Sequence, residues 1–254
     1  MSRLYMIQTL FSHKTNSPLK NFFILLTFLL INFLSVWFLG TIPLVALIPI
    51  LGSGLLMLLA SKSMKLFIVY VVFALAGTIQ EILFISLGVW SYSATSFLSV
   101  PLYLPFIWGN ISILCVSLYK GIFMLRAFRS LPHHPPKALT IFSALAFAII
   151  FTLLSIYLFW DQPFLLFLLF IVIDIFLIFN IRSIPFALVG IGALVCGSVG
   201  DIVSVHLNYW SYSTSHHALL DVPLYIFLGW DIVGLFIVAS YIFLETLEKE
   251  IRFK

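Results

Sequence analysis

The chain has 254 residues, of which 63% are hydrophobic, 17% aromatic and only 9% charged, with a formal net charge of +4. A water-soluble domain needs a far larger charged surface, so the aqueous globular classes are excluded. The thirteen Lys and Arg residues are scattered and not interleaved with aromatics, which argues against a nucleic-acid partner.

Residues 1–20 are polar and basic, show no secretory cleavage pattern, and read as a retained segment. Apolar runs then follow at 21–39, 42–60, 66–89, 101–124, 138–160, 163–181, 185–208 and 223–246. Each is long enough for the ~20 helical residues that a bilayer core takes. They are continuously apolar, whereas the strands of a membrane barrel alternate in polarity. The fold class is therefore all-α, a polytopic membrane protein with eight transmembrane helices. Basic residues favour cytoplasmic loops. Arg3, Lys14, Lys20, Lys62, Lys65, Lys120, Arg126, Arg129, Lys137, Arg182, Lys249, Arg252 and Lys254 all fall on one side of an eight-helix arrangement. Both termini are then cytoplasmic.

A repeat organises these helices. Gly77 and Glu81, leading to Trp90, Ser91 and Tyr92, return as Gly197 and Asp201, leading to Trp210, Ser211 and Tyr212. Val100-Pro101-Leu102-Tyr103 and Trp108 return as Val222-Pro223-Leu224-Tyr225 and Trp230. Four helices per copy is an even number, so the copies enter the membrane in the same direction, as parallel repeats about an axis along the membrane normal. The divisions are a cytoplasmic segment (1–20), a first repeat (21–129), a Pro-rich linker (130–137), a second repeat (138–246) and a cytoplasmic tail (247–254). The prolines suit the first turns of helices, and Trp90, Tyr92, Trp210 and Tyr212 suit an outer interfacial belt.

The acids carry the chemistry. At ~1.5 Å per helical residue, Glu81 and Asp201 lie roughly 13 Å below the outer interface. Asp231, Asn110 and Asp174 are expected near the same layer, together with Trp108 and Trp230. Four acids, an amide and two indoles are thus expected in one plane. With no intramembrane Lys or Arg as partner, such an acid is costly unless it holds a proton or a metal ion, and a neutral buried carboxylic acid is a competent proton donor. Set against this is a packing role, in which neutral acids bond to neighbouring helices. Gly77, Gly88 and Gly197 at helical spacing permit close helix approach or leave room for a ligand, close packing being the commoner reading. Cys115 and Cys196, both within helices, read as small packing residues and give no disulfide framework. His133 and His134 in the linker, and His206, His216 and His217 at the outer loop, read as loop polarity. No cofactor or metal motif is present.

The acid, the Gly or Asn seven residues on, the following Trp and Tyr, and the Pro-Leu beyond them resemble the repeat of the two-repeat integral-membrane lycopene cyclases. The stretch Val100-Pro101-Leu102-Tyr103-Leu104-Pro105-Phe106-Ile107-Trp108 also resembles the membrane carotenoid hydratases. The likeness covers the third and fourth helices of each half, about a third of the chain. Where the cyclases carry two adjacent glutamates, this chain has Tyr103-Leu104 and Tyr225-Ile226. The resemblance implies a carotenoid- or isoprenoid-modifying enzyme in which Glu81 and Asp201 protonate a C=C bond. Asp231 or Asn110 positions water or takes a proton, and Trp90, Trp108, Trp210, Trp230, Tyr103 and Tyr225 line the substrate and stabilise a carbocation. A long apolar isoprenoid or membrane lipid is the expected partner. Two other classes stay open: a proton- or cation-coupled carrier using the same acids, and a noncatalytic membrane assembly protein.

Overall fold

The computed structural model describes residues 18–95, 98–124, 138–181, 183–213 and 218–252. In chain order it contains α1 (Pro18–Leu39), α2 (Pro43–Ser61), α3 (Met64–Ser86), β1 (Trp90–Tyr92), α4 (Leu104–Met124), α5 (Ala138–Phe159), α6 (Pro163–Ile181), α7 (Ile184–His206), β2 (Trp210–Tyr212), β3 (Ala218–Leu219), β4 (Val222–Pro223) and α8 (Leu224–Arg252). Eight helices stand among the described residues, and six are long and apolar enough to cross a membrane: α2, α3, α5, α6, α7 and α8. The described apolar stretch of α1 is shorter, Ile24–Leu39. In α4 the apolar character is diluted by Asn110, Ser112, Ser117 and Lys120.

The helix ends follow local chemistry. Pro43 sits in the first turn of α2 and Pro185 in that of α7, where a missing N–H costs nothing. Ser63 caps α3 by accepting the Leu66 N–H at 3.3 Å. Beyond α3 the chain turns at Gly88, φ +75°, and beyond α7 at Asn208, φ +58°. These are the two residue types that enter the left-handed region most readily, and both helices stop there. Val100-Pro101 and Val222-Pro223 were expected to open helices. Instead Pro101 precedes α4, with its carbonyl accepting the Leu104 N–H at 3.0 Å, and Pro223 ends β4.

Helix packing is matched between the halves. α3 lies along α4 as α7 lies along α8; α1 packs on α2 as α5 packs on α6; α4 also meets α1 and α2 as α8 meets α5 and α6. Across the middle, α4 contacts α8, while α3 touches α8 and α7 touches α4. Large apolar side chains such as Ile48, Leu59, Ile79, Ile150 and Ile178 cover the outside, the surface a bilayer would solvate. At one end Lys65 pairs with Glu248 at 2.7 Å, and Lys120 lies 4.5 Å from the centre of the Tyr241 ring.

The W-S-Y segments are strands, an element the all-helical reading omits. β1 and β2 pair antiparallel with Trp90 opposite Tyr212, Ser91 opposite Ser211 and Tyr92 opposite Trp210. The pairing continues beyond them, the Ser93 N–H donating to the Tyr209 carbonyl at 2.8 Å and the Ser213 N–H to the Val89 carbonyl at 3.0 Å. Two chain-distant copies of one motif are thus zipped face to face, centred on the Ser91/Ser211 pair.

Several residues weighed in the sequence lie outside the described residues: Arg3, Lys14, Arg126, Arg129, His133, His134, Lys137, Arg182, His216, His217 and Lys254. The side chains of Lys20 and Arg252 do as well.

Candidate functional site: an acid chamber between the two halves

Strand pairing aims the aromatic residues inward. Alternation in a strand sends Trp90 and Tyr92 to one face and Ser91 to the other. Trp90 is accordingly buried, 8% exposed, and Ser91 is exposed. Trp90, Tyr92 and Tyr212 thereby turn toward the acids. The Trp90 indole N–H donates to Glu81 Oε2 at 2.8 Å and the Tyr92 hydroxyl donates to the same oxygen at 3.0 Å. Asp201 is served differently: its Oδ2 accepts the indole N–H of Trp230, from α8, at 2.7 Å. Trp108 and Tyr212 are close enough to Glu81 and Asp201, respectively, to act as further donors, and the two acids lie within each other's electrostatic reach. Glu81 is 8% exposed and Asp201 5%.

The two indoles of the fourth and eighth helices meet in a stack, Trp108 on Trp230 with centroids 5.7 Å apart and 20° between planes. Glycine allows it. A Cβ on Gly77 would lie 2.3 Å from the Trp108 ring and one on Gly197 2.2 Å from the Trp230 ring, so the glycine four residues before each acid is where the indole packs against its helix. The close-packing reading therefore holds for Gly77 and Gly197, with Trp as the packed group, and fails for Gly88, where an added Cβ would meet nothing within 4 Å and the glycine serves the turn instead. Around the strands, Trp90 meets Tyr212 edge-on at 5.8 Å and Tyr92 meets Trp210 at 5.5 Å. Burial pushes the Tyr92 and Tyr212 phenols, both outside the helices, well above their ordinary value of 10.0; the neighbouring acids push in the same direction.

Two cavities open onto this cluster. The smaller, about 140 Å³, is lined by both acids, by Trp90, Tyr92, Tyr103, Trp108, Trp210, Tyr212 and Trp230, and by Thr152 and Phe170. The larger, about 340 Å³, runs between α1, α4, α7 and α8 along almost entirely apolar side chains, and shares Asp201, Trp210 and Trp230 with the first. Their walls correspond. Leu29, Asn32, Phe33 and Asp201 line the larger, and the residues at a spacing of 120, Ile149, Thr152, Leu153 and Glu81, line the smaller. Each cavity thus joins the first and last helices of one half to the acid of the other half.

The structure separates the remaining expected members of the layer. Asp231 faces Asp174, close enough for their carboxyls to share a hydrogen bond, and neither lines either cavity. Asp231 therefore stands outside the acid chamber, despite its place next to Trp230 in sequence. It packs beside Gly190, while at the corresponding place in the first half Tyr70 packs against Gly109, so bulk has exchanged between facing helices. Asn110 borders the larger cavity, and its amide nitrogen is spent on the scaffold: Nδ2 donates to Asn32 Oδ1 at 2.6 Å and to the Ile50 carbonyl at 2.9 Å, while Oδ1 is buried without a hydrogen-bond partner. Tyr103 lines the smaller cavity, whereas Tyr225 is fully buried against Phe170 with ring centroids 5.8 Å apart and lines neither.

Of the expected residues, Glu81, Asp201, Trp90, Trp108, Trp210, Trp230 and Tyr103 are brought together. Sequence reasoning missed Tyr92 and Tyr212 as partners of the acids, and Thr152. The first two carried a signal, an alternating W-S-Y at identical distance from each acid; Thr152 carried none. Cys115 and Cys196 are free thiols lining the larger cavity. Among the described residues no cluster of His, Cys, Asp and Glu is arranged to hold a metal ion.

Neither a protein-family model nor a curated protein matches this chain. Among solved structures it is similar to a cross-linked trimer of an MvINS variant, whose crystal structure is at 1.9 Å resolution, with 17% identity and a TM-score of 0.53 over 71% of this chain and 94% of that one. At this identity the likeness is one of fold alone.

Proposed function

We propose that the chain is an integral-membrane isoprenoid-modifying enzyme, cyclase- or hydratase-like, that protonates a C=C bond with a buried carboxylic acid. One observation carries the reading: two acids from different halves, each held by an indole N–H, line one aromatic chamber that adjoins an apolar cavity. The acid proton of Glu81 or Asp201 is transferred to the alkene carbon that leaves the more substituted cation. The ring faces of Trp108, Trp230, Trp90 and Trp210 attract that positive charge. Attack of a second C=C bond on the cation closes a ring, and loss of a proton to a carboxylate then leaves an alkene; without ring closure the same proton loss gives a new alkene, and capture of water followed by proton loss to a carboxylate gives an alcohol. Trp and Tyr donors around each carboxyl fix its direction before the substrate arrives, which is the preorganisation that acid catalysis needs.

The same reading takes the molecule as two parallel four-helix repeats with eight spans and cytoplasmic termini. The matched helix contacts, the mutual pairing of β1 and β2 and the corresponding cavities support the duplication. Membranes containing the protein, incubated with a linear carotenoid in D2O, test the chemistry. The product is expected to carry deuterium on the carbon that gained the proton; a product without deuterium overturns the protonation step.

One observation favours a second reading, a proton-coupled carrier. Asp174 and Asp231 form a carboxyl pair within helices, without a cation beside it among the described residues. Proton flux in sealed vesicles that vanishes in Asp231→Asn supports the carrier, and flux equal to that of protein-free vesicles rejects it.

A further inference from the structure

Hydroxyl side chains in a membrane helix have a ready partner, the carbonyl one turn earlier on their own helix. This molecule uses it repeatedly: Ser35 donates to the Ile31 carbonyl at 2.5 Å, Thr78 to Ala74 at 2.7 Å, Ser240 to Phe236 at 2.8 Å and Thr246 to Ile242 at 3.0 Å. Thr152 on α5 does not. It is 6% exposed, its Oγ1 is buried with no hydrogen-bond partner, and it lines the smaller cavity together with Glu81 and Asp201. A buried hydroxyl left without a partner is costly, so a group kept this way beside two acids has the character of a waiting ligand contact. At the corresponding position of the first half, Asn32 is spent on Phe28, Ser53 and Asn110. The two cavities therefore differ at this point.

We propose that Thr152 is the ligand-positioning residue of the acid chamber, holding through Oγ1 a hydroxyl-type oxygen while the apolar chain of a single-chain, isoprenoid-like ligand lies in the larger cavity. The division of space fits. At about 340 Å³ the larger cavity reaches the range of small-ligand sites, ~300–1,000 Å³. At about 140 Å³ the smaller takes an end group. The larger is walled mainly by aliphatic and aromatic groups and meets one carboxyl, Asp201, whereas the smaller gathers both carboxyls, three tyrosines and Thr152. The oxygen has two sources, the ligand's own hydroxyl or a water molecule seated beside an alkene. The inference rests on the chamber being a substrate site, and its test reads binding alone, so it fails separately from the protonation chemistry.

The experiment measures binding of farnesol and of the hydrocarbon farnesene to the purified full chain in detergent, through quenching of tryptophan fluorescence. The comparison covers the wild type, Thr152→Val, which keeps the shape and removes the hydroxyl, and Thr152→Ser, which restores it. Unchanged gel-filtration profiles and helicity establish that the variants fold. A preference for farnesol of about 5-fold, the size of one neutral hydrogen bond, lost in Thr152→Val and retained in Thr152→Ser, supports the inference with the oxygen on the ligand. Equal affinities for the two probes, with an infrared water O–H band in the farnesene complex that shifts in H2 18O and is missing in Thr152→Val, support it with water as the source. The absence of both a hydroxyl preference and a water band that depends on Thr152 overturns it.

Discussion

Asp201 and Trp230 provide the cleanest test of how the chamber is held. The Trp230 indole N–H donates to Asp201 Oδ2 at 2.7 Å, and Asp201 is 5% exposed. Asp201→Ala leaves that N–H buried without its acceptor, at a cost of about 1–3 kcal/mol. Trp230→Phe removes the donor and weakens the stack on Trp108, an aromatic pairing worth about 0.5–1.5 kcal/mol. In the double variant no orphaned N–H remains, so its destabilisation is expected to fall short of the sum of the two singles by about 1–3 kcal/mol. The assay is reversible unfolding in mixed micelles with increasing SDS, followed by circular dichroism. The corresponding cycle between Glu81→Ala and Trp90→Phe is expected to couple as well, since Trp90 donates to Glu81 at 2.8 Å. Additive energies in both cycles, within about 0.3–0.5 kcal/mol, refute the claim that the indoles anchor the acids.

Gly77→Ala and Gly197→Ala each place a methyl group where an indole lies. Each is expected to cost about 1–3 kcal/mol by overpacking and to shift the tryptophan emission, whereas Gly52→Ala, whose added Cβ has open space, is expected to leave both unchanged. Ser91 and Ser211 oppose each other with their hydroxyl oxygens 3.2 Å apart, so Ser91→Cys with Ser211→Cys is expected to form an intramolecular disulfide on mild oxidation, read as a mobility shift reversed by reductant; failure to cross-link in folded protein argues against this register. Because burial raises the Tyr92 and Tyr212 phenols above 10.0, folding favours their protonated forms. Their contribution to stability is full below pH 10 and is lost as pH rises through the folded-state values. Unfolding at alkaline pH is expected to coincide with the appearance of tyrosinate absorbance, and a prior tyrosinate transition involving these two phenols in the native state contradicts the burial.

The acids and their indoles were legible because an acid inside an apolar run is conspicuous, and because its distance to the next Trp is the same in both halves. Position along a helix is read directly from the sequence, but azimuth is not. Asp231 follows Trp230 directly, and successive helical residues point about 100° apart, so the indole turns to Asp201 while the carboxyl turns to Asp174. The strands escaped notice because three residues are too few for a periodic signal, and their partner lies 120 residues away. A hydroxyl is informative only once its neighbours are known, which is why Thr152 could not be picked from the other Ser and Thr residues. The prolines misled in a smaller way: Val-Pro suits a helix start, but in the second half the chain uses it to end the β3–β4 hairpin, delaying the helix to Leu224.

The central claim is that Glu81 and Asp201 protonate an apolar alkene in the chamber between the halves. Its most direct test is chromatography of lipids from a host that makes a linear carotenoid, comparing the wild type with Glu81→Gln and Asp201→Asn at matched membrane abundance. A new cyclic or hydroxylated product that disappears in both variants is the predicted result. A wild type that leaves the carotenoid unchanged, or a product that persists in both variants, contradicts it.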